Sequence, residues 1–133
     1  MRGRPVERTV LGLSALLLLG VGLGSLLAQD AFYESYDIAV DGAVSLSSEL
    51  RGVGAALVLS GLATAAGAVW VRWAFTSAMV GAVVLLGYAS GRFVSLLVDG
   101  VPTSATLAAG AVEAVLGAAS AWVAVRRGPG RAA

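Results

Sequence analysis

Gly87-Tyr88-Ala89-Ser90-Gly91-Arg92-Phe93-Val94-Ser95-Leu96-Leu97-Val98-Asp99-Gly100-Val101-Pro102 is the stretch on which the reading of this chain turns. It starts inside an apolar run, carries one Arg near the end of that run, and stops at Asp99-Gly100-Val101-Pro102, a sharp turn. A second run of small apolar residues follows and holds a single charge, Glu113. Each run is about as long as a helix needs to be to cross the hydrocarbon core of a bilayer, about 20 residues. The stretch therefore predicts the tip of a helical hairpin in a membrane.

Working outward gives two more runs of the same kind. Thr9 to Ala28 has no charge, and a second run extends from Leu50 to Val71, interrupted only by Arg51 near its start. The first is read as a retained transmembrane helix in preference to a signal-peptide core, because its apolar stretch is long for a signal. The expectation is an all-α polytopic membrane protein: one four-transmembrane-helix bundle over residues 1–133, with spans at about 9–28, 50–71, 73–98 and 103–125. The loops are short except for one longer connection over residues 29–50.

Composition agrees. Of 133 residues, 58% are hydrophobic and 13% are charged, whereas soluble domains are about 45–50% apolar and about 25% charged. The net charge of +1 argues against nucleic-acid binding. The chain has neither Cys nor His. That excludes thiol redox chemistry, disulfides, thiolate and imidazole metal sites and histidine-ligated haem. No cofactor and no metal are expected. What remains for chemistry is carboxylate, guanidinium, phenol and hydroxyl.

The basic residues lie at the amino terminus, at Arg72 and at Arg126-Arg127, whereas the 29–50 connection holds five acids and the next turn Asp99. The positive-inside rule then places both termini in the cytoplasm of a plasma-membrane protein. Phe32, Tyr33 and Tyr36 have helical spacing, so residues 30–39 are read as a short helix on the membrane surface. Val40-Asp41-Gly42-Ala43-Val44 reads as a turn or tiny hairpin. This connection is a solvated link or, alternatively, a lid or acidic mouth.

Small residues mark close helix approach in lipid. The candidates are Gly20 with Gly24, Gly87 with Gly91, and Gly54, Gly61 and Gly67 in the second span. That span is the most close-packable and is expected at the bundle centre. Ser47 or Ser48 is its expected cap, with Glu49 in its first turn; Thr103 or Ser104 is the expected cap of the fourth span.

The few polar residues in the spans are the candidate site. Arg92 lies roughly 28 Å along its helix from Trp73, and Glu113 roughly 15 Å into the fourth span. Helical side chains lean towards their own amino terminus, and the two helices run in opposite directions, so Arg92 and Glu113 lean towards each other. An Arg92–Glu113 pair is expected. Tyr88, Ser90 and Ser95 are placed to complete its hydrogen bonding, and Arg51 to meet Glu49, Asp99 or the acidic connection. An ionisable residue at mid-bilayer is a functional candidate by default, because insertion costs about 2.5–3.5 kcal/mol. Two readings of Glu113 stand side by side, a structural pair and a proton- or ligand-linked group.

The order Glu49-x-Arg51-x-x-Gly54, then Gly91-Arg92-x-x-Ser95-x-x-x-Asp99-Gly100-x-Pro102, then Glu113, resembles the bacterial membrane family catalogued as domain of unknown function 4345. The resemblance spans roughly residues 9 to 125. It implies a four-helix transmembrane protein and brings no assigned activity; the acidic 29–50 connection is a departure, so no role is carried over to it.

Three function classes follow from the residues. First is a non-enzymatic bundle that binds a lipid, a membrane protein partner or a second copy of itself, or acts as a scaffold or accessory that supports a larger assembly. Second is a small oligomeric transporter or proton-linked carrier using Glu113. Third is a membrane enzyme acting on a lipophilic substrate through Arg51, Arg92, Asp99 and Glu113. With no His, Cys or cofactor motif, the enzyme ranks last.

Overall fold

A computed structural model describes residues 3–129. The elements are α1 (Gly3–Leu27), α2 (Gln29–Glu34), α3 (Val44–Val69), a 3-10 turn (Val71–Trp73), α4 (Ala74–Val98) and α5 (Ser104–Arg127), with no strand among the described residues. Four of the helices are long and apolar enough to cross a membrane. Hydrocarbon offers no partner to a backbone N–H or C=O, so apolar sequence of this length closes its hydrogen bonds within helices. The chain is a multi-pass membrane protein.

The four long helices form a ring in the order α1, α3, α4, α5. Across the ring α1 touches α4, while α3 and α5 do not meet. The centre of the bundle is therefore the α1–α4 diagonal, not the Gly-rich α3. The reason lies in what the α3 glycines face. A Cβ on Gly54 would lie 2.9 Å from the carbonyl oxygen of Gly22, and one on Gly22 would lie 2.8 Å from that of Gly54. The two backbones touch, and this seam, with Gly61 against Leu19, binds α3 to α1 at the side of the bundle. Gly67 packs on Ser77 of α4, whose hydroxyl donates to the Ala63 carbonyl at 2.6 Å.

The start of α1, the end of α5 and the Trp70–Trp73 turn lie at one end, the terminal end; α2 and the 99–103 turn lie at the other, the distal end. Towards the terminal end Leu11, Ala74, Ala78, Val123 and Ala124 form one core cluster. Ser14 of α1 and Ser120 of α5, both fully buried, share a hydrogen bond of 3.0 Å. Leu18, Leu57 and Leu85 form the second cluster, above them.

Several ends differ from the sequence reading. Helix α1 starts at Gly3, ahead of Thr9; Pro5 in its first turn costs nothing, because the N–H it lacks would have no helical partner there. Helix α3 starts at Val44, ahead of Leu50, so Ser47 and Ser48 lie inside it and Ala43 precedes it without a side-chain cap. Gly42, at φ +76°, reverses the chain early and makes this possible. Glu49 is then past the first turn. The 40–44 segment makes a single turn, closed by Ala43 N–H to Val40 C=O, with no hairpin. At α5 the Thr103 hydroxyl accepts from the Thr106 N–H at 3.3 Å and caps the helix.

Candidate functional site

Arg92 and Glu113 meet. Arg92 Nε donates to Glu113 Oε2 at 2.8 Å and Nη2 to Oε1 at 3.2 Å, a two-bond fork in which the planar guanidinium matches the carboxylate. Glu113 is 5% exposed, whereas the Arg92 side chain keeps 30% of its surface open. Arg92 stands about 9 Å from the distal end of α4, and Glu113 about 14 Å from the distal end of α5. The opposite lean of the two helices closes that difference.

Gly110 makes room for the pair. It stands three positions before Glu113, on the same face of α5, and a Cβ there would sit 3.2 Å from Arg92 Cδ. The i, i+3 spacing of Gly110 and Glu113 was the available sequence signal for it.

Two open grooves flank Arg92. One, of about 670 Å³, runs along α4 past Val83, Gly87, Tyr88, Gly91, Arg92 and Ser95. The other, of about 550 Å³, lies between α4 and α5 and is lined by Ser90, Arg92, Phe93, Pro102, Thr106 and Gly110 among others. Arginine carries five N–H donors, and Glu113 takes two of them. The others have no partner among the described residues. Ser95, on the lip of the first groove, donates to Asp99 Oδ2 at 2.7 Å and holds that carboxylate one turn back along the helix.

Tyr88 borders the first groove and also, with Glu113, Leu17, Leu18, Leu57 and Leu85, a cavity of about 10 Å³ inside the bundle. That is room for about one water. Arg51 and Glu49 stand apart, exposed on α3; Arg51 lines a shallow depression with Gly42, Ser47 and Ser48 and makes no ion pair among the described residues. The sequence candidates thus divide. Arg92, Glu113, Tyr88, Ser95 and Asp99 share the α4–α5 tip, and Glu49 and Arg51 do not join them.

The glycine candidates divide too. Gly54, Gly61 and Gly67 sit at helix contacts, and Gly24 lies under the Phe32 ring, but Gly20, Gly87 and Gly91 have nothing within 4 Å of a Cβ. Gly87 and Gly91 are the floor of the groove rather than a contact between helices of this chain. Gly22, Gly81 and Gly117 make close contacts that their spacing did not single out.

A second ion pair lies at the terminal end. Arg127 donates through both Nε and Nη2 to Glu7 Oε2, and Glu7 is buried. Beside it Arg8 donates to the Val69 carbonyl at 3.2 Å. Arg72 lies over the Trp73 ring and Arg126 over Trp122, at 5.8 and 4.8 Å from the ring centroids. Such cation–aromatic contacts suit a membrane–water boundary. No group of three or more His, Cys, Asp or Glu residues that could hold a metal occurs among the described residues.

No curated protein and no solved structure matches the chain. One protein family does, under the description Domain of unknown function (DUF4345), over residues 6–124. That range takes in nearly all of the four long helices, the α1–α3 glycine seam and the Arg92–Glu113 pair, and the chain belongs to this family.

Proposed function

We propose that this protein is a non-enzymatic membrane bundle that binds an amphiphile or the membrane segment of a partner along the distal half of α4. The observation that carries this reading is Arg92, anchored on one side by Glu113 and bordering a large open groove on each side of α4. The pair holds the guanidinium in place, and the donors it leaves over are available to a ligand. Apart from Arg92 the grooves carry no charge and are lined mainly by apolar residues, with Tyr88 and Ser95 in one and Ser90 and Thr106 in the other. Such a lining suits a site fed from the lipid phase.

The orientation belongs to the same proposal. The terminal end, with Arg8, Arg72, Arg126 and Arg127, faces the cytoplasm of the plasma membrane, and the acidic distal end faces outward. The chain has no native Cys, so single-cysteine labelling is clean. In intact cells a membrane-impermeant maleimide is expected to label Asp41→Cys and to spare Gly128→Cys. The reverse pattern contradicts the orientation.

Two open glycines test the binding reading. Gly91→Leu fills the groove, whereas Gly20→Leu fills an equally open position away from it. Native mass spectrometry is expected to find a species retained by the wild type and by Gly20→Leu but lost from Gly91→Leu. Equal retention in all three contradicts the site.

A second reading, a proton-linked carrier, draws on the small cavity shared by Glu113 and Tyr88. It requires pH-gradient-dependent flux in proteoliposomes that Glu113→Gln abolishes. The Leu18–Leu57–Leu85 layer between Glu113 and the Ser14–Ser120 bond weighs against it, because it fills the bundle interior with apolar side chains.

A further inference from the structure

The groove along α4 has a polar order. Its deep part is apolar and floored by glycine, at Val83, Gly87 and Gly91. Next comes a guanidinium, Arg92. One turn further towards the distal end, Ser95 holds the Asp99 carboxylate at 2.7 Å. Apolar, then cationic, then anionic is the complement of a zwitterionic glycerophospholipid read from chain to headgroup: acyl chain, phosphate, ammonium.

The surroundings select among headgroups. Glu113 already balances the charge of Arg92. The distal end carries Asp30, Glu34, Asp37, Asp41, Glu49 and Asp99 against Arg51. A headgroup with net negative charge meets a repulsive field there, and like-charge juxtaposition is an effective filter. A headgroup whose phosphate is followed by an ammonium satisfies Arg92 with one charge and the acidic rim with the other.

We infer that the α4 groove takes a zwitterionic phospholipid from the distal leaflet, its phosphate on the remaining donors of Arg92, its ammonium on the Asp99 carboxylate and one acyl chain over Gly91 and Gly87. This deepens the binding reading above and rests on it. Arg92 and Asp99 select the headgroup, and Ser95 is a positioning residue that fixes the Asp99 carboxylate.

The test is native mass spectrometry of the full chain released from nanodiscs holding equal amounts of phosphatidylethanolamine and phosphatidylglycerol with identical chains. The wild type is expected to retain phosphatidylethanolamine over phosphatidylglycerol by about tenfold, the effect of one good charge-assisted contact. Asp99→Asn is expected to erase the preference while phospholipid is still retained. Gly91→Leu is expected to lose both lipids, and Gly20→Leu to behave as wild type. Asp99 and Gly91 are exposed, so these variants leave the packing of the bundle intact, and an unchanged thermal unfolding midpoint checks this.

Equal retention of the two lipids, or a preference that survives Asp99→Asn, overturns the headgroup assignment. If Gly91→Leu still abolishes retention in that case, the groove remains a binding site. Retention untouched by Gly91→Leu overturns the groove as well.

Discussion

The two helical hairpins of this bundle end differently. At the distal tip of α1 and α3, α2 folds back as a cap. Phe32 lies on Gly24, the fully buried Ser25 donates to the Leu50 carbonyl at 2.8 Å and bonds the Tyr33 hydroxyl at 2.9 Å, and Gln29 donates to the Ser47 carbonyl. At the distal tip of α4 and α5 nothing is folded back. No residue from Leu86 to Val112 is buried, although Leu85 and Glu113 on either side are. One tip is sealed by its own chain, and the other is not covered by any described residue. The exposed tip is also the one that carries an ion pair within the membrane span. Sealing serves stability, whereas an open tip around a fixed guanidinium is what the proposed binding role draws on.

Glycine replacements separate the two hairpins most sharply. Gly54→Leu forces a side chain into the α1 backbone, and overpacking of this kind costs about 3 kcal/mol or more. Thermal unfolding in detergent is expected to fall accordingly or the chain to fail to fold. The same change at Gly91 meets open space, and its unfolding midpoint is expected to stay within the scatter of the wild type. Equal effects at the two positions remove the distinction between the tips.

Smaller changes sharpen it. Ser25→Ala removes two hydrogen bonds from the sealed tip and is expected to destabilise by about 1 kcal/mol. Proteolysis of the 29–43 connection is expected to accelerate with it; unchanged cleavage means that α2 is not held by this network. Smaller again is Glu7→Gln. The burial of the Glu7–Arg127 pair resembles that of Arg92–Glu113, but it lies at the terminal end among Arg126, Trp122 and Arg8. A membrane–water boundary there lets water reach a stranded Arg127, so the cost is expected to be smaller, about 1 kcal/mol. A large effect there would shift the main electrostatic support of the fold to the terminal end.

The four helices were legible because apolar length alone decides them in lipid. The Arg92–Glu113 pair was legible because the Asp99–Gly100 turn joins its two helices and the lean of helical side chains has a fixed direction. The Glu7–Arg127 pair was not, because 120 residues separate the partners and only the closed ring brings α1 beside α5. Which glycines pack was legible only in part: Gly24, Gly54, Gly61 and Gly67 do, but Gly20, Gly87 and Gly91 do not. A helix that is apolar on every side has no stripe to mark its inner face, and lipid is as apolar as a neighbouring helix. Gly20 and Gly22 look alike in sequence, but only Gly22 touches α3. The early start of α3 was hidden because Ser47, Ser48 and Glu49 form a better cap signal than Ala43 does, and the turn at Gly42 overrides it.

The central claim is that Arg92 and Glu113 form a fixed pair that positions a guanidinium in an open groove. A double-mutant cycle on unfolding in detergent tests it most directly, with Glu113→Gln, Arg92→Gln and both together. Each single change strands a charge with little water around it and is expected to cost about 3 kcal/mol, whereas the double change is expected to cost no more than either. If Glu113→Gln is neutral or stabilising, or if the two effects simply add, the residues are not a structural pair and Glu113 is kept for a task of its own.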